Sequence, residues 1–221
     1  MKLKAIHILT NDLTGTGSFY REVLGLPIVS DAPSVLRIKA GTTMLFFHRS
    51  EAAQPVYHLA FDIPNNRLKE AREQLEEKVR ILPVSPGKTI ADFTSWNAKS
   101  FYFHDNNGNV LEYITRYDLK NKSEKAFDGS SVLHISEIGM ATENVPKLAS
   151  KITSEYGIAL YPKQPPQEHF TVMGDENGLF ILASDKRNWF PTDKKSEPYW
   201  TKIVFSTAQG DRELIHSGRK K

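Results

Sequence analysis

FYFHDNNGNVLEYITR, residues 101–116, decides the fold. Its centre, DNNGN at 105–109, sits between two apolar runs, and Asn and Gly tolerate the positive φ that a tight hairpin turn needs. In the strand that follows, side chains alternate between faces, so Leu111 and Tyr113 share one face and Glu112 takes the other. A carboxylate therefore interrupts a strand that otherwise reads as core.

The same ending occurs twice more. Gly41 precedes TTMLFFH, and Gly178 precedes LFILAS after a second turn signal, DENGL at 175–179. Working back from each ending gives a repeated unit. Each opens with a short apolar strand: Ala5–Thr10, Val56–Ile63 and Ile135–Ala141. An amphipathic helix follows, carried by Phe19, Val23 and Leu24, then by Leu68, Ala71 and Leu75, then by Val145, Leu148 and Ile152. Gly25 and Gly157 end the first and third helices as C-caps do. The unit is one strand, one helix and about three further strands. Tyr199–Ser206 reads as the first strand of a fourth unit that is not completed.

This predicts an α+β fold of paired βαβββ modules forming curled mixed sheets, about three modules plus a partial fourth. Residues 118–131, DLKNKSEKAFDGSS, are polar and aperiodic and read as a linker. The expected domains are 1–117, a pair of modules around a metal cup, and 132–221, a degenerate third module plus a C-terminal strand.

Composition narrows the function classes. At 221 residues and 39% hydrophobic content the chain can bury a core. No run approaches the roughly 18 apolar residues of a membrane span, and no signal-peptide core forms at the N-terminus. There is no Cys, which excludes disulfides, thiolate ligands and a Cys nucleophile. The expectation is a cytoplasmic protein. Its charge of +3 owes much to Lys120, Lys122 and Lys125 in the linker and to Arg219, Lys220 and Lys221 at the end. Those runs lack interleaved aromatics, so no nucleic-acid partner is expected. A small-molecule substrate is, and a homodimer is left open.

Three residues stand out for chemistry. In AIHIL, Ile6 and Ile8 share one strand face and His7 takes the other. In VYHLAF, Leu59 and Phe61 share one face and His58 takes the other. With units aligned on the turn glycine, the position four residues on is Leu45, Glu112 and Leu182, so only the second unit offers a carboxylate. His7, His58 and Glu112 thus suggest a two-His-one-carboxylate metal site with open positions, suited to Fe(II), Mn(II) or Zn(II). Taken singly, each is as well explained by a hydrogen-bonded or solvated side chain. The third unit's strand, ISEIGMA, has no His at the matching place.

DLTGTGSFYREVLGLPIV at 12–29, YHLAFDIP at 57–64 and FYFHDNNGNVLEYITR at 101–116 together resemble the vicinal oxygen chelate superfamily. That superfamily includes glyoxalase I, extradiol ring-cleaving dioxygenases and fosfomycin-resistance thiol transferases. The resemblance covers residues 4–117 and continues more loosely through 132–184. It implies a metal cup with ligands at His7, His58 and Glu112. Glyoxalase I carries a further Glu where this chain has Leu45, which disfavours that reaction. Both three-ligand branches carry a Tyr ten residues before the ligand Glu, and Tyr102 stands there as the implied catalytic group. A bulged turn is expected to bring Tyr102 and Glu112 to one face.

Neither branch's set of residues around the ligands is complete. Where ring-cleaving enzymes place an acid–base His, this chain has Thr42-Thr43, with His48 at the other end of the strand as a substrate-binding candidate. Where the thiol transferases place a Thr, it has Leu9. Trp96 is a second substrate-binding candidate, as a wall of the cup or as a packed loop anchor. Asn97 and His104 lie nearby. RNWFPT at 187–192 covers an interface or the cup mouth, or fills the gap left by the unfinished unit. The first expectation is an oxidoreductase, a dioxygenase-like metalloenzyme with Fe(II). The alternatives are a Mn- or Zn-dependent lyase, isomerase or thiol transferase, and a non-catalytic small-molecule binding protein.

Overall fold

The computed structural model describes residues 1–51 and 54–218; the basic ending at Arg219–Lys221 lies outside the described residues. The first unit supplies β1 (Lys2–Thr10), a short α1 (Leu13–Ser18) running into a π turn at Phe19–Val23, then β2 (Ile28–Ala32), β3 (Val35–Ala40) and β4 (Thr43–Arg49). The second supplies β5 (His58–Asp62), α2 (Leu68–Glu76), β6 (Ala91–Phe93), β7 (Ala98–His104) and β8 (Val110–Arg116). The third supplies β9 (His134–Thr142), α3 (Val145–Tyr156), β10 (Phe170–Asp175) and β11 (Gly178–Ser184). A final hairpin, β12 (Thr201–Thr207) and β13 (Gly210–His216), takes the place of the fourth unit.

Helix ends follow local chemistry. Asp12 accepts a hydrogen bond from the Gly15 N–H, Asn144 accepts one from the Lys147 N–H, and Gly157 closes α3 at φ 67°. The stretch 118–131 carries no strand and only a short 3₁₀ turn at Gly129–Ser131, capped by Asp128. Among the described residues no helix is long and apolar enough to cross a membrane.

The strands form two curled mixed sheets. One has the order β13-β12-β1-β4-β3-β2 and the other β10-β11-β9-β5-β8-β7-β6. Unit one therefore pairs with the final hairpin, through antiparallel β1 and β12. Unit two pairs with unit three, through antiparallel β5 and β9. The sequence expectation put units one and two around one cup; hydrogen bonding instead divides residues 1–117 between both sheets. The physical reason is edge occupancy. β12 takes the edge of β1 and β9 takes the edge of β5, so neither first strand is open to the other.

Both sheets contribute to a shared apolar core. It includes Ile6, Ile8, Leu45 and Phe47 from the smaller sheet and Leu59, Phe61, Leu111, Tyr113, Ile138 and Met140 from the larger. The alternate residues of the larger sheet, among them Ala60, Tyr102, Val110, Ile114 and Ala141, form a second cluster on its other face. Alternation thus turns His58, Glu112 and their neighbours away from the main core.

Candidate metal centre

Three buried side chains converge on that second face: His58 from β5, Glu112 from β8 and Glu137 from β9. One potential ligand atom from each lies within 4.8 Å of the others. His58 Nε2 is 3.5 Å from Glu112 Oε2 and 3.8 Å from Glu137 Oε2. Strand register explains the convergence, since Ala60 sits between Glu112 on β8 and Glu137 on β9.

The neighbours set the chemistry of each ligand atom. His58 Nδ1 lies 3.1 Å from the Val110 carbonyl oxygen. That carbonyl can only accept, so Nδ1 carries the proton and the Nε2 lone pair faces the carboxylates. Arg116, 1% exposed, donates from Nη2 to Glu137 Oε1, leaving Oε2 toward His58. Its Nε donates to Asp62 Oδ1 at 3.2 Å, and its guanidinium lies 5.8 Å from the Trp96 ring. Orienting contacts of this kind are what metal ligands need.

Electrostatics leave the cluster short of positive charge. Burial, and then the charge of Glu137, push the Glu112 carboxyl up to about 7. Burial also opposes ionisation of Glu137, but His58 and Arg116 outweigh it and hold that carboxyl below its usual range. Burial favours neutral His58, yet Glu137 and Glu112 raise it above its ordinary value. One imidazole and two carboxylates facing one point fit a divalent ion such as Mn(II), Fe(II) or Zn(II).

A pH dependence follows. Below pH 7 Glu112 holds a proton that an ion must displace. His58, raised above its ordinary value, must lose its proton as well, so apparent affinity of the metal-free protein for Mn(II) is expected to fall as pH drops through 7, by roughly tenfold per pH unit for each of these protons displaced. Calorimetric titration across pH 5.5–8, with about one to two protons released per ion at the acid end, checks this.

A cavity of about 220 Å³ opens from the three ligands. Its walls include Phe93, Trp96, Tyr102, Phe170, Trp189 and Phe190, with Gln164, Arg187 and Asn188 as polar members. Trp189 packs its ring 5.7 Å from that of His58. Gly139 makes room for it: an added Cβ would meet Trp189 Cη2 at 2.6 Å and His58 Cβ at 3.0 Å. Gly139→Ala should displace Trp189, shift its fluorescence and cost about 1–3 kcal/mol by overpacking.

The structure unites part of the expected set. His58 and Glu112 meet as expected. Tyr102 is directly opposite Glu112 on adjacent antiparallel strands, so the two share a face without any bulge. Burial, and then the charge of Glu112, push the Tyr102 phenol up, so it keeps its proton. Trp96 is a wall of the cavity, and RNWFPT supplies Trp189 and Phe190 to its lining.

His7 and His48 are not brought to this cluster. Both lie on the six-stranded sheet, with His7 Nδ1 3.0 Å from His48 Nε2. Leu45 is fully buried in the main core, and strand register gives the place of Glu112 in the first unit to His48 instead of Leu45, because the turn glycine lies at a different distance from the paired strand in the two units. Asn97 holds Asp118, and His104 turns back on the Asn109 carbonyl.

Glu137 and Arg116 were missed. The strand ISEIGMA offers no His, and simple alternation would put Glu137 on the core face with Ile135; a register shift between Ile135 and Glu137 turns the carboxylate away from both Ile135 and Ile138, and that irregularity is absent from the sequence pattern.

No family model matches the sequence, and no curated protein resembles it in sequence. Solved structures do resemble the fold. A dioxygenase candidate from Bacillus subtilis subsp. subtilis str. 168 aligns over 97% of this chain and 84% of that one, with TM-score 0.63 and 15% identity. Glyoxalase I from Zea mays aligns over 83% of this chain and 66% of that one, with TM-score 0.51 and 14% identity. The likeness lies in the fold, which is that of the glyoxalase/bleomycin resistance/dioxygenase proteins. That fold is consistent with the sequence's resemblance to the vicinal oxygen chelate superfamily.

Proposed function

We propose that the protein is a metal-dependent enzyme of the dioxygenase-like kind, acting on a small substrate with two adjacent oxygens in the manner of extradiol ring cleavage. The observation that carries this is the opening of His58, Glu112 and Glu137 into a cavity walled by aromatic rings. The fold-level likeness to the dioxygenase candidate supports it. Fe(II) is the first ion to test. A bound divalent ion would supply Lewis acidity toward the substrate's two oxygens.

The chain's own residues do the rest. Trp189 and Trp96 line the cavity and desolvate a flat substrate, and Phe190, also in the lining, is 48% exposed. Tyr102 keeps its phenolic proton and donates a hydrogen bond to a substrate oxygen. Tyr102→Phe is expected to retain metal and lower kcat about a hundredfold, as loss of one positioned proton donor does. Metal content and kcat measured on the same sample check this.

A second reading has its own support. Two carboxylates with one imidazole form a harder donor set than two imidazoles with one carboxylate. That favours Mn(II), and with it a lyase, isomerase or transferase. Protein purified without chelator decides between the two. Bound iron with catechol-dependent oxygen uptake supports the dioxygenase reading. Turnover that is independent of iron and oxygen supports the second.

A further inference from the structure

The smaller sheet repeats the layout of the metal centre. In the larger sheet His58 is in register with Val110, and Glu112 lies two residues further along β8. In the smaller sheet His7 is in register with Phe46, and His48 lies two residues further along β4. His7 and His48 therefore occupy the places of His58 and Glu112.

The third place corresponds as well. Glu137 is opposite Ala60, two residues after His58. Continuing the register of His7 with Lys202 by two residues puts Trp200 opposite Leu9. The Tyr57 hydroxyl ties the two together, accepting from the Leu9 N–H at 3.2 Å and donating to the Trp200 carbonyl at 2.8 Å.

We propose that His7 and His48 form a second metal site, a pair of imidazoles that binds Cu(II), Ni(II) or Zn(II). Their facing nitrogens are 3.0 Å apart. Two nitrogens bound to one ion at about 2.0–2.1 Å and at right angles are separated by roughly 2.9 Å. The two nitrogens are hydrogen-bonded to each other, so one ring carries its proton on the facing nitrogen; binding a common ion takes loss or transfer of that proton to the ring's other nitrogen and ring rotation, not strand movement. Both rings are half-buried, so the pair has access to solvent. Phe46 stacks on His7 at 4.1 Å and Trp200 meets His48 edge-on at 5.4 Å, which holds both rings at the sheet surface.

The surroundings select the ion class. Lys202 is paired with Glu213 at 2.7 Å, and Arg37 lies over Phe46 at 5.5 Å. This carboxylate is already engaged and a spare positive charge is present. Hard ions such as Mg(II) or Ca(II), which bind through oxygen, gain nothing here, whereas imidazole-seeking ions do.

The test uses the full chain with the first centre silenced by His58→Gln and Glu112→Gln, titrated with Cu(II) by calorimetry and electron paramagnetic resonance. One equivalent is expected, with the nitrogen hyperfine pattern of two imidazoles, and adding His7→Gln or His48→Gln should abolish it. In the otherwise unaltered chain, His48→Gln should remove one equivalent and leave the rest, which covers failure of the silenced variant to fold. Absence of binding in the folded silenced protein, or binding unchanged after both His7 and His48 are replaced, overturns the proposal. Failure of the first centre is distinguishable: the unaltered chain would then bind a single equivalent that His7→Gln removes.

Discussion

Arg116→Met is expected to destabilise the protein by about 3–5 kcal/mol, the range for breaking a buried ion pair from one side. Arg116 is 1% exposed and bonds Glu137 and Asp62, themselves 3% and 0% exposed. Methionine fills much of the space but leaves two carboxylates without their cation. The aliphatic volume survives, so the loss is electrostatic rather than a cavity. Chemical denaturation of the metal-free protein measures it. Saturating Mn(II) should restore part of the loss, because an ion supplies the charge that Arg116 gave to Glu137; about 2.7 kcal/mol is gained at a hundred times the dissociation constant. A destabilisation below about 1 kcal/mol, the worth of an exposed pair, would show that the network does not carry charge in the way its geometry implies.

His58→Gln should abolish stoichiometric Mn(II) binding. His58 is the only nitrogen ligand of the cluster, and its Nε2 is aimed between the two carboxylates by the Val110 carbonyl. Glutamine keeps hydrogen-bonding capacity without an imidazole lone pair. Glu112→Gln tests the same point from the other side, and it removes the carboxyl that burial and Glu137 push up to about 7. That variant should therefore lose Mn(II) and, free of metal, gain stability near neutral pH, where the wild-type carboxyl ionises against its surroundings. The sign is set by the folded value lying above the unfolded one: the native state holds the proton longer, so stability from this group falls as pH rises toward 7. Elemental analysis reports the first effect and urea unfolding at pH 5 and 7.5 the second.

Much of this site was legible in local sequence, because strand alternation is local. Ile6 and Ile8, Leu59 and Phe61, and Leu111 and Tyr113 all face the main core, and the polar residues between them face away. That places His58 and Glu112 on one face, and a simple hairpin places Tyr102 beside Glu112. The partner of each unit was not legible. Every unit ends in an apolar strand with free edges, and nothing within a unit says which neighbour fills them. β1 accepts β12 and β5 accepts β9, contacts between residues far apart in the chain. His7 therefore has the right local pattern and lies in the other sheet. Glu137 has a less conspicuous pattern and completes the cluster. The missed residue and the misplaced one share a cause: a ligand set is a property of sheet order, which sequence periodicity does not contain.

The most direct test is anomalous diffraction from crystals grown with Mn(II), with data collected on both sides of the manganese edge. One ion bound by His58 Nε2, Glu112 and Glu137 at about 2.0–2.2 Å, opening into the cavity walled by Trp96 and Trp189, is the expected result. Manganese-edge density elsewhere in the molecule, with these three side chains bound only to protein or water, would contradict the metal centre and the function built on it.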